Sequence, residues 1–465
     1  MIDEDVLYLS VRELGGKIRS RSLSPVELTE AYLKRAEAIG PKLNAYATLT
    51  RELALKEARE AESEIRAGKY RGRLHGIPYA AKDLLAVQGY PTTWGARPYA
   101  DQKFDFDATV IKKLRAAGAV LVGKAAMIEL AGGMGYRFAS ASVNGAAKNP
   151  WDQTCWTCGS SSGSGAVAAA GLAAFAIGTE TWGSIVCPSS FCGVSGLRPT
   201  YGRVSRHGAM ALSYSMDKIG PMGRTADDCG LILSAISGHD PADPGSLPDS
   251  DFHYLDSGPT KLRIGWLTNA WEKIPLDIDA VVKSAVEVLK SNGVTFEEAK
   301  LPEGPWEAAA GTIISVEGAS AFEALIESGR VAQLNDPLGR IAGYVNQQIP
   351  ASDFYRSMRI RTVLQRKIDS LFERFDVIAT VSQPVTASKL SANLETDLAF
   401  ADPLGAIGNL CGLPAMVVPC GFAADKLPVG IVFVGRPLDE QKVIAAARLF
   451  QAHTDWHRRR PGLKF

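Results

Sequence analysis

The chain has 465 residues, 46% of them hydrophobic and 22% charged, enough apolar side chain for a large buried core. Its formal net charge of +1 gives no electrostatic reason to expect nucleic acid or an acidic membrane surface as a partner. The acidic start MIDEDVLYLS has no basic segment before an apolar run, and no stretch approaches roughly 18 uninterrupted apolar residues, so a cytoplasmic protein without a spanning helix is expected.

Ser24-Pro25-Val26-Glu27 reads as a capping box with proline at the first helical position. Leu28, Ala31, Tyr32 and Ile39 then recur at helical spacing until Gly40. A second, charged helix is expected from Arg51 to Ala67, ended by Gly68. From His75 the pattern changes, with a strand over Ile77–Ala81 and Lys82 at its end. An amphipathic helix over Asp107–Gly118 precedes an apolar strand, Ala119–Val122, and this alternation is that of a layered α/β sheet.

The densest chemistry lies between Cys158 and Pro188, CGSSSGSGAVAAAGLAAFAIGTETWGSIVCP. The small residues Gly159, Gly163 and Gly165 let backbone N–H groups approach a ligand, and the Ala-rich run from Ala166 predicts a helix buried on most faces. A short buried strand over Leu172–Ile177 then delivers Ser184 to the loop beyond its end, so that Ser160 and Ser184 meet in one pocket. A helix over Ala226–Ser237 is followed by an irregular excursion over residues 241–258. Strand, helix and strand resume at Lys261–Leu267, Ile278–Asn292 and Val294–Glu298. Residues 303–370 read as helical and as a cap over the pocket. Three strands, Asp376–Thr380, Ala415–Pro419 and Gly430–Val434, and a closing helix, Glu440–Ala452, complete the chain.

Other readings of these residues lack their context. Gly159 to Gly163 satisfies the G-x-S-x-G elbow, but the preceding WDQTCWTC is no hydrophobic strand. Gly163 to Ala168 fits a dinucleotide fingerprint without the strand before it or an acidic residue about 20 positions on. Seven cysteines form a sparse, odd set, so reduced thiols are expected rather than a disulfide framework. Cys155 and Cys158 form a C-x-x-C, but a zinc site would need two further ligands nearby, and no metal or cofactor is expected. His207 has no companion acid at useful spacing.

The motifs CGSSSGSG and GTETWGSI resemble those of the amidase signature family, whose hallmark is a Gly/Ser-rich turn followed by a Gly-Ser-Ile corner. The resemblance extends to HGIPYAAKDLL (His75–Leu85), CGVSGLRPTYGRVSRHG (Cys192–Gly208), SMDKIGPMGRTADD (Ser215–Asp228), GNLCGLPAMVVPCG (Gly408–Gly421) and LPVGIVFVGRP (Leu427–Pro437). It implies one α/β/α layered domain over residues 1–465 around a large mixed, mostly parallel twisted sheet. Within it, helices over 1–74 lead into a catalytic core over 75–230. It also implies hydrolysis of an amide by a serine acyl-enzyme: Ser184 as nucleophile, Ser160 as bridging serine on a cis peptide bond, and Lys82 as base. Thr181, Trp182 and Gly183 would supply oxyanion donors, and Cys158 and Gly159 would line the substrate. Asp217, Arg224, Asn409 and Pro414 match family positions and are read as supporting residues.

This chain departs from the family pattern at five places. Cys158 and Ser162 stand where glycines are usual, Trp182 replaces a glycine, Glu180 a more frequent aspartate, and Val186 an arginine of many members. The corner is similar to that of the branch that includes peptide amidases. Without the arginine, an uncharged or aromatic small-molecule amide is the expected partner, with no nucleic acid or membrane, and aryl amides or carbamates are included. The alternatives are the glutaminase-like subunit of a tRNA-dependent amidotransferase and a non-catalytic binding member. The oligomeric state stays open, a homodimer among the options.

Overall fold

The computed structural model describes residues 2–257 and 261–463. Its eleven strands are β1 (Tyr46–Leu49), β2 (Pro78–Lys82), β3 (Val120–Ala125), β4 (Phe175–Glu180), β5 (Ser195–Arg198), β6 (Lys218–Gly223), β7 (Arg263–Leu267), β8 (Thr295–Ala299), β9 (Val377–Val381), β10 (Ala415–Phe422) and β11 (Pro428–Gly435). They form one sheet in the order β1-β3-β2-β4-β6-β5-β10-β11-β9-β7-β8. The sheet is mixed, as expected, but parallel pairing is confined to β3-β2-β4 and β9-β7-β8. The six pairings at the β1 edge and through the centre are antiparallel, so "mostly parallel" overstates it. Two parallel, helix-connected ends meet across an antiparallel middle.

Alternation along the strands explains the layers. Tyr79 and Ala81 of β2, Leu121 of β3 and Phe175 and Ile177 of β4 join one cluster with Ile232 and Ile236 of the helix Ala226–Ile236. Their neighbours Ala80, Val120, Val122 and Ala176 face the opposite cluster, with Leu33, Leu43, Ala54, Ala166 and Val167 of three other helices. In the antiparallel middle Met416, Val418, Ile431 and Phe433 pack on one face, and Ala415, Val417, Val432 and Val434 on the other. Side chains of period two thus bury both faces of the sheet, giving helix, sheet and helix layers.

Boundaries moved where packing overrode local signals. The helix expected to stop at Gly40 runs from Pro25 through Pro41 to Leu43, because Leu43 is buried, and Asn44 at φ 49° ends it in the glycine's place. Ser24 caps it through Val26 and Glu27 N–H, but its hydroxyl goes to Glu62 rather than closing the box with Glu27. The N-terminal segment contributes β1 as well as helices. The strand expected at Leu172–Ile177 starts instead at Phe175, since residues 172–174 form the turn after Gly171 (φ +62°) and pairing with β2 begins at Phe175. The closing helix, Glu440–Ala452, lies where expected. The excursion is irregular over 241–257; its last residue, Gly258, lies outside the described residues. Residues 303–370 are helical, built mainly from Trp306–Ala321, Gly339–Asn346 and most of Ala351–Arg374.

Candidate active site

The parallel neighbours β2 and β4 bring the site together. Lys82 ends β2 and is fully buried, and Thr179 lies near the end of β4. Lys82 Nζ donates to Ser160 Oγ at 2.7 Å, Thr179 Oγ1 at 2.9 Å and Ser161 Oγ at 3.0 Å. Ser160 Oγ in turn lies 3.0 Å from Ser184 Oγ. The three residues named from sequence therefore form one continuous chain of contacts. The peptide bond between Gly159 and Ser160 is cis.

Burial lowers the Lys82 pKa to about 7, against the opposing pull of the Asp217 and Glu180 charges. Ser161 and Thr179, which complete the shell around the amine, were not singled out from sequence. Both had signals: Ser161 lies in the serine turn, and Thr179 sits beside Lys82 once β2 and β4 are paired. Ser161 Oγ is held by accepting from Thr179 N–H at 3.2 Å and donating to Thr179 O at 3.1 Å.

The corner after β4 is shaped by a buried carboxylate. Glu180 Oε2 accepts from the N–H groups of Ile185 (2.9 Å) and Val186 (3.0 Å), while Oε1 pairs with Arg198 at 2.7 Å and accepts from Asn409 at 3.2 Å. Burial by itself raises its pKa, yet the Arg198 and Lys218 charges hold it at about 2. Glu180 therefore stays ionised and folds the chain back so that Ser184 faces Ser160. Gly183 takes φ +79° with open space where a Cβ would lie, so backbone conformation and not crowding selects glycine there. Trp182 stays outside the left-handed region. Among the described residues, the backbone N–H groups of Thr181, Trp182, Gly183 and Ser184 meet no protein acceptor.

The Trp182 indole donates to Asp402 Oδ2 at 2.8 Å and packs beside the cluster that holds Leu404 and Trp306. Burial raises the Asp402 pKa. Thr181 Oγ1 donates to Asp217 Oδ1 at 2.5 Å, and Asp217 also accepts from Leu212 and Ser213 N–H, a supporting role as expected. Arg224 donates to Ala168 O and Ala169 O, and Asn409 to Glu180, likewise in support. A cavity of about 200 Å³ borders Thr179, Thr181, Asp217 and Leu212, and a smaller one of about 30 Å³ borders Gly183, Val186, Trp271 and Asp402.

Two expectations need correction. Cys158 is not a reduced thiol: it is bonded to Cys187, which folding brings near across 29 residues of sequence. Cys155, the other cysteine of the C-x-x-C, contacts Asp152 and Lys389. Gly163 and Gly165 serve packing rather than ligand approach, since both lie inside the helix Ser162–Ala170. A Cβ on Gly163 would come 2.4 Å from Ala45 O, and one on Gly165 3.0 Å from Cys192 Sγ. Gly159 is similarly pressed, for a methyl group there would lie 2.7 Å from the Ile128 side chain.

Fold and site together define a class: an α/β enzyme that cleaves amides, with two serines and a buried lysine on adjoining strand ends. The family model described as Amidase matches residues 27–444, and the chain belongs to that family. The chain is 38% identical to a glutamyl-tRNA(Gln) amidotransferase subunit from Chloroflexus aggregans, over 98% of each chain. Among solved structures it is similar to the peptide amidase of Stenotrophomonas maltophilia, with 30% identity, a TM-score of 0.84 and 98% of each chain covered. It also resembles a chain from a vestigial protein complex tied to the origins of an s-triazine catabolic enzyme, with 28% identity and a TM-score of 0.88 over 96% of this chain and 98% of that one. The near-neutral net charge does not exclude nucleic acid, since a relative over its full length is named for glutamyl-tRNA. Among the described residues, no helix is long and apolar enough to cross a membrane.

Proposed function

We propose that the chain cleaves a carboxylic amide through an acyl-enzyme on Ser184. Ser184 Oγ attacks the carbonyl carbon as its proton passes to Ser160 Oγ, whose own proton passes to the neutral Lys82 amine. The N–H groups of the corner Thr181 to Ser184 receive the charge that develops on the carbonyl oxygen, each such donor being worth about 3 kcal/mol of barrier. Lys82 then returns the proton through Ser160 to the leaving nitrogen. Water repeats the sequence on the acyl carbon and frees Ser184.

The observation that carries this reading is the contact chain of 2.7 and 3.0 Å from a fully buried amine to Ser184. An ordinary lysine is neutral about once in 2,500 at pH 7, whereas one titrating at about 7 is neutral half the time. Intact-mass measurement during turnover of a simple amide tests it: the wild type carries the acyl group, and Ser184→Ala carries none and does not turn over. Turnover by Ser184→Ala would overturn it.

For the amide itself, the full-length relatives favour the second of the sequence expectations, a subunit that releases nitrogen from glutamine within a tRNA-dependent amidotransferase. A stand-alone hydrolase of an uncharged or aromatic amide is favoured by the corner itself. Val186 is apolar and buried where many members carry arginine, and the Trp182 indole occupies space beside it. The helices of residues 303–370 reach the loop beside the larger cavity, with Glu317 accepting from Ser213 and Ser215 and Arg361 donating to Ser215 O at 3.0 Å.

A further inference from the structure

We propose that the Cys158–Cys187 bridge is a positioning element of the reaction, holding the bridging serine against the nucleophile and making turnover sensitive to reduction. The inference rests on the acyl-enzyme reading above. Cys158 lies two residues before Ser160, and Cys187 three residues after Ser184, at the start of the helix Val186–Cys192. The bond therefore joins the two segments whose hydroxyls must stay 3.0 Å apart for a proton to cross. Two non-covalent ties also join the segments, the Ser161 hydroxyl to Thr179 N–H and O and Cys192 Sγ–H to Thr157 O, and the bridge is the covalent one between them. Ser160 O accepts from Ile128 N–H, whereas the corner hangs from Glu180 through Ile185 and Val186.

The backbone at Cys158 supports a role for its side chain. Its φ of +63° falls in the left-handed region, where an L residue is disfavoured and glycine is not. A cysteine in such a place needs something in return, and the bond to Cys187 supplies it. Cys155, Cys192, Cys229, Cys411 and Cys420 are free and buried, so the bridge is the redox-active pair among the described cysteines. Cys158 and Cys187 are themselves buried, 5% and 8% exposed, so reduction in the folded protein needs local opening or a long incubation with the reductant.

Reduction breaks the Sγ–Sγ bond. Two electrons and two protons pass from dithiothreitol, which closes to its cyclic disulfide, and Cys158 and Cys187 become thiols. The test counts thiols in denatured protein before and after that treatment and measures kcat and KM on a simple amide at each stage. We expect five free thiols before and seven after. Reduction should lower kcat by about tenfold with KM held within about twofold, as for a small misplacement of reacting groups, and re-oxidation should restore it. Active-site titration with a serine-directed fluorophosphonate keeps this apart from unfolding, because a purely structural bridge would lower the titratable fraction and leave kcat per site unchanged. Cys158→Gly, which suits the backbone, should show the reduced kcat and no response to dithiothreitol.

Seven thiols in the untreated protein, or an unchanged kcat per titrated site after reduction, would overturn the proposal. Those results leave the acyl-enzyme reading standing, which falls separately if Ser184→Ala hydrolyses the amide.

Discussion

A protonated amine shut away from water loses hydration that nearby hydroxyls only partly replace, and this asymmetry sets the pH behaviour of Lys82. Lowering its pKa from 10.5 to about 7 corresponds to roughly 5 kcal/mol of disfavoured charge. On the proposed mechanism the neutral form accepts the proton, so kcat/KM should fall about tenfold per pH unit below about 7 and level off above it; a profile flat down to pH 5 would refute the role of Lys82. Stability carries the same signature with a defined sign. Between about 7 and the unfolded value near 10.4 the unfolded chain binds the proton that the folded chain has released. Lys82 therefore makes unfolding harder as pH rises through that window. Lys82→Met should remove both effects, cutting kcat by roughly a thousandfold or more while weakening the pH dependence of denaturant midpoints. At the neighbouring position, Trp182→Gly removes the indole and its bond to Asp402. It should raise kcat/KM for longer acyl chains relative to shorter ones, a ratio read from a homologous series of amides, and an unchanged ratio would free Trp182 of that role.

At the scale of elements, the corner after β4 is a loop whose shape depends on one carboxylate. Glu180 and Arg198 are both buried, so their attraction is little screened, and removing one partner leaves the other charge uncompensated. Glu180→Ala should cost roughly 3–5 kcal/mol in urea unfolding, and it should lower kcat further by freeing the Ile185 and Val186 N–H groups. A variant with wild-type stability and kcat would show that the corner is held by something else. The disulfide acts on the same element from outside. Closing a loop of 29 residues restricts the unfolded chain by roughly 3–4 kcal/mol, so reduced protein should unfold at lower denaturant even where its folded form is unchanged.

Over the whole molecule, the antiparallel middle of the sheet joins two parallel ends. The β3-β2-β4 end presents the lysine and both serine segments, and Glu317 and Arg361 of the 303–370 helices bond to Ser215 in the loop before β6. Whether the chain works by itself is a question at this scale. If it is a stand-alone hydrolase, the purified chain should release amine from aryl or aliphatic amides without help. If it is a glutaminase-like subunit, release of ammonia from glutamine should appear only once partner chains are added. Measuring ammonia and arylamine release by the chain alone separates the two.

The sequence by itself, through the family its motifs resemble, singled out Lys82, Ser160 and Ser184, and it gave the layered class. The serine turn, the Gly-Ser-Ile corner and the lysine at a strand end are local features, legible wherever the fold places them. Apolar periodicity located most of the strands and helices because burial of one face dictates it. Only tertiary structure decided the rest, since it depends on contacts remote in sequence. Cys158 found Cys187 rather than Cys155 because the two serine corners converge. Thr179 and Ser161 joined the lysine because β2 and β4 lie side by side, and the helix Pro25–Leu43 ran past Gly40 because Leu43 had a core to enter. Pairing order and parallel content followed which strands could bury both faces, a property of the assembled sheet that no local window contains.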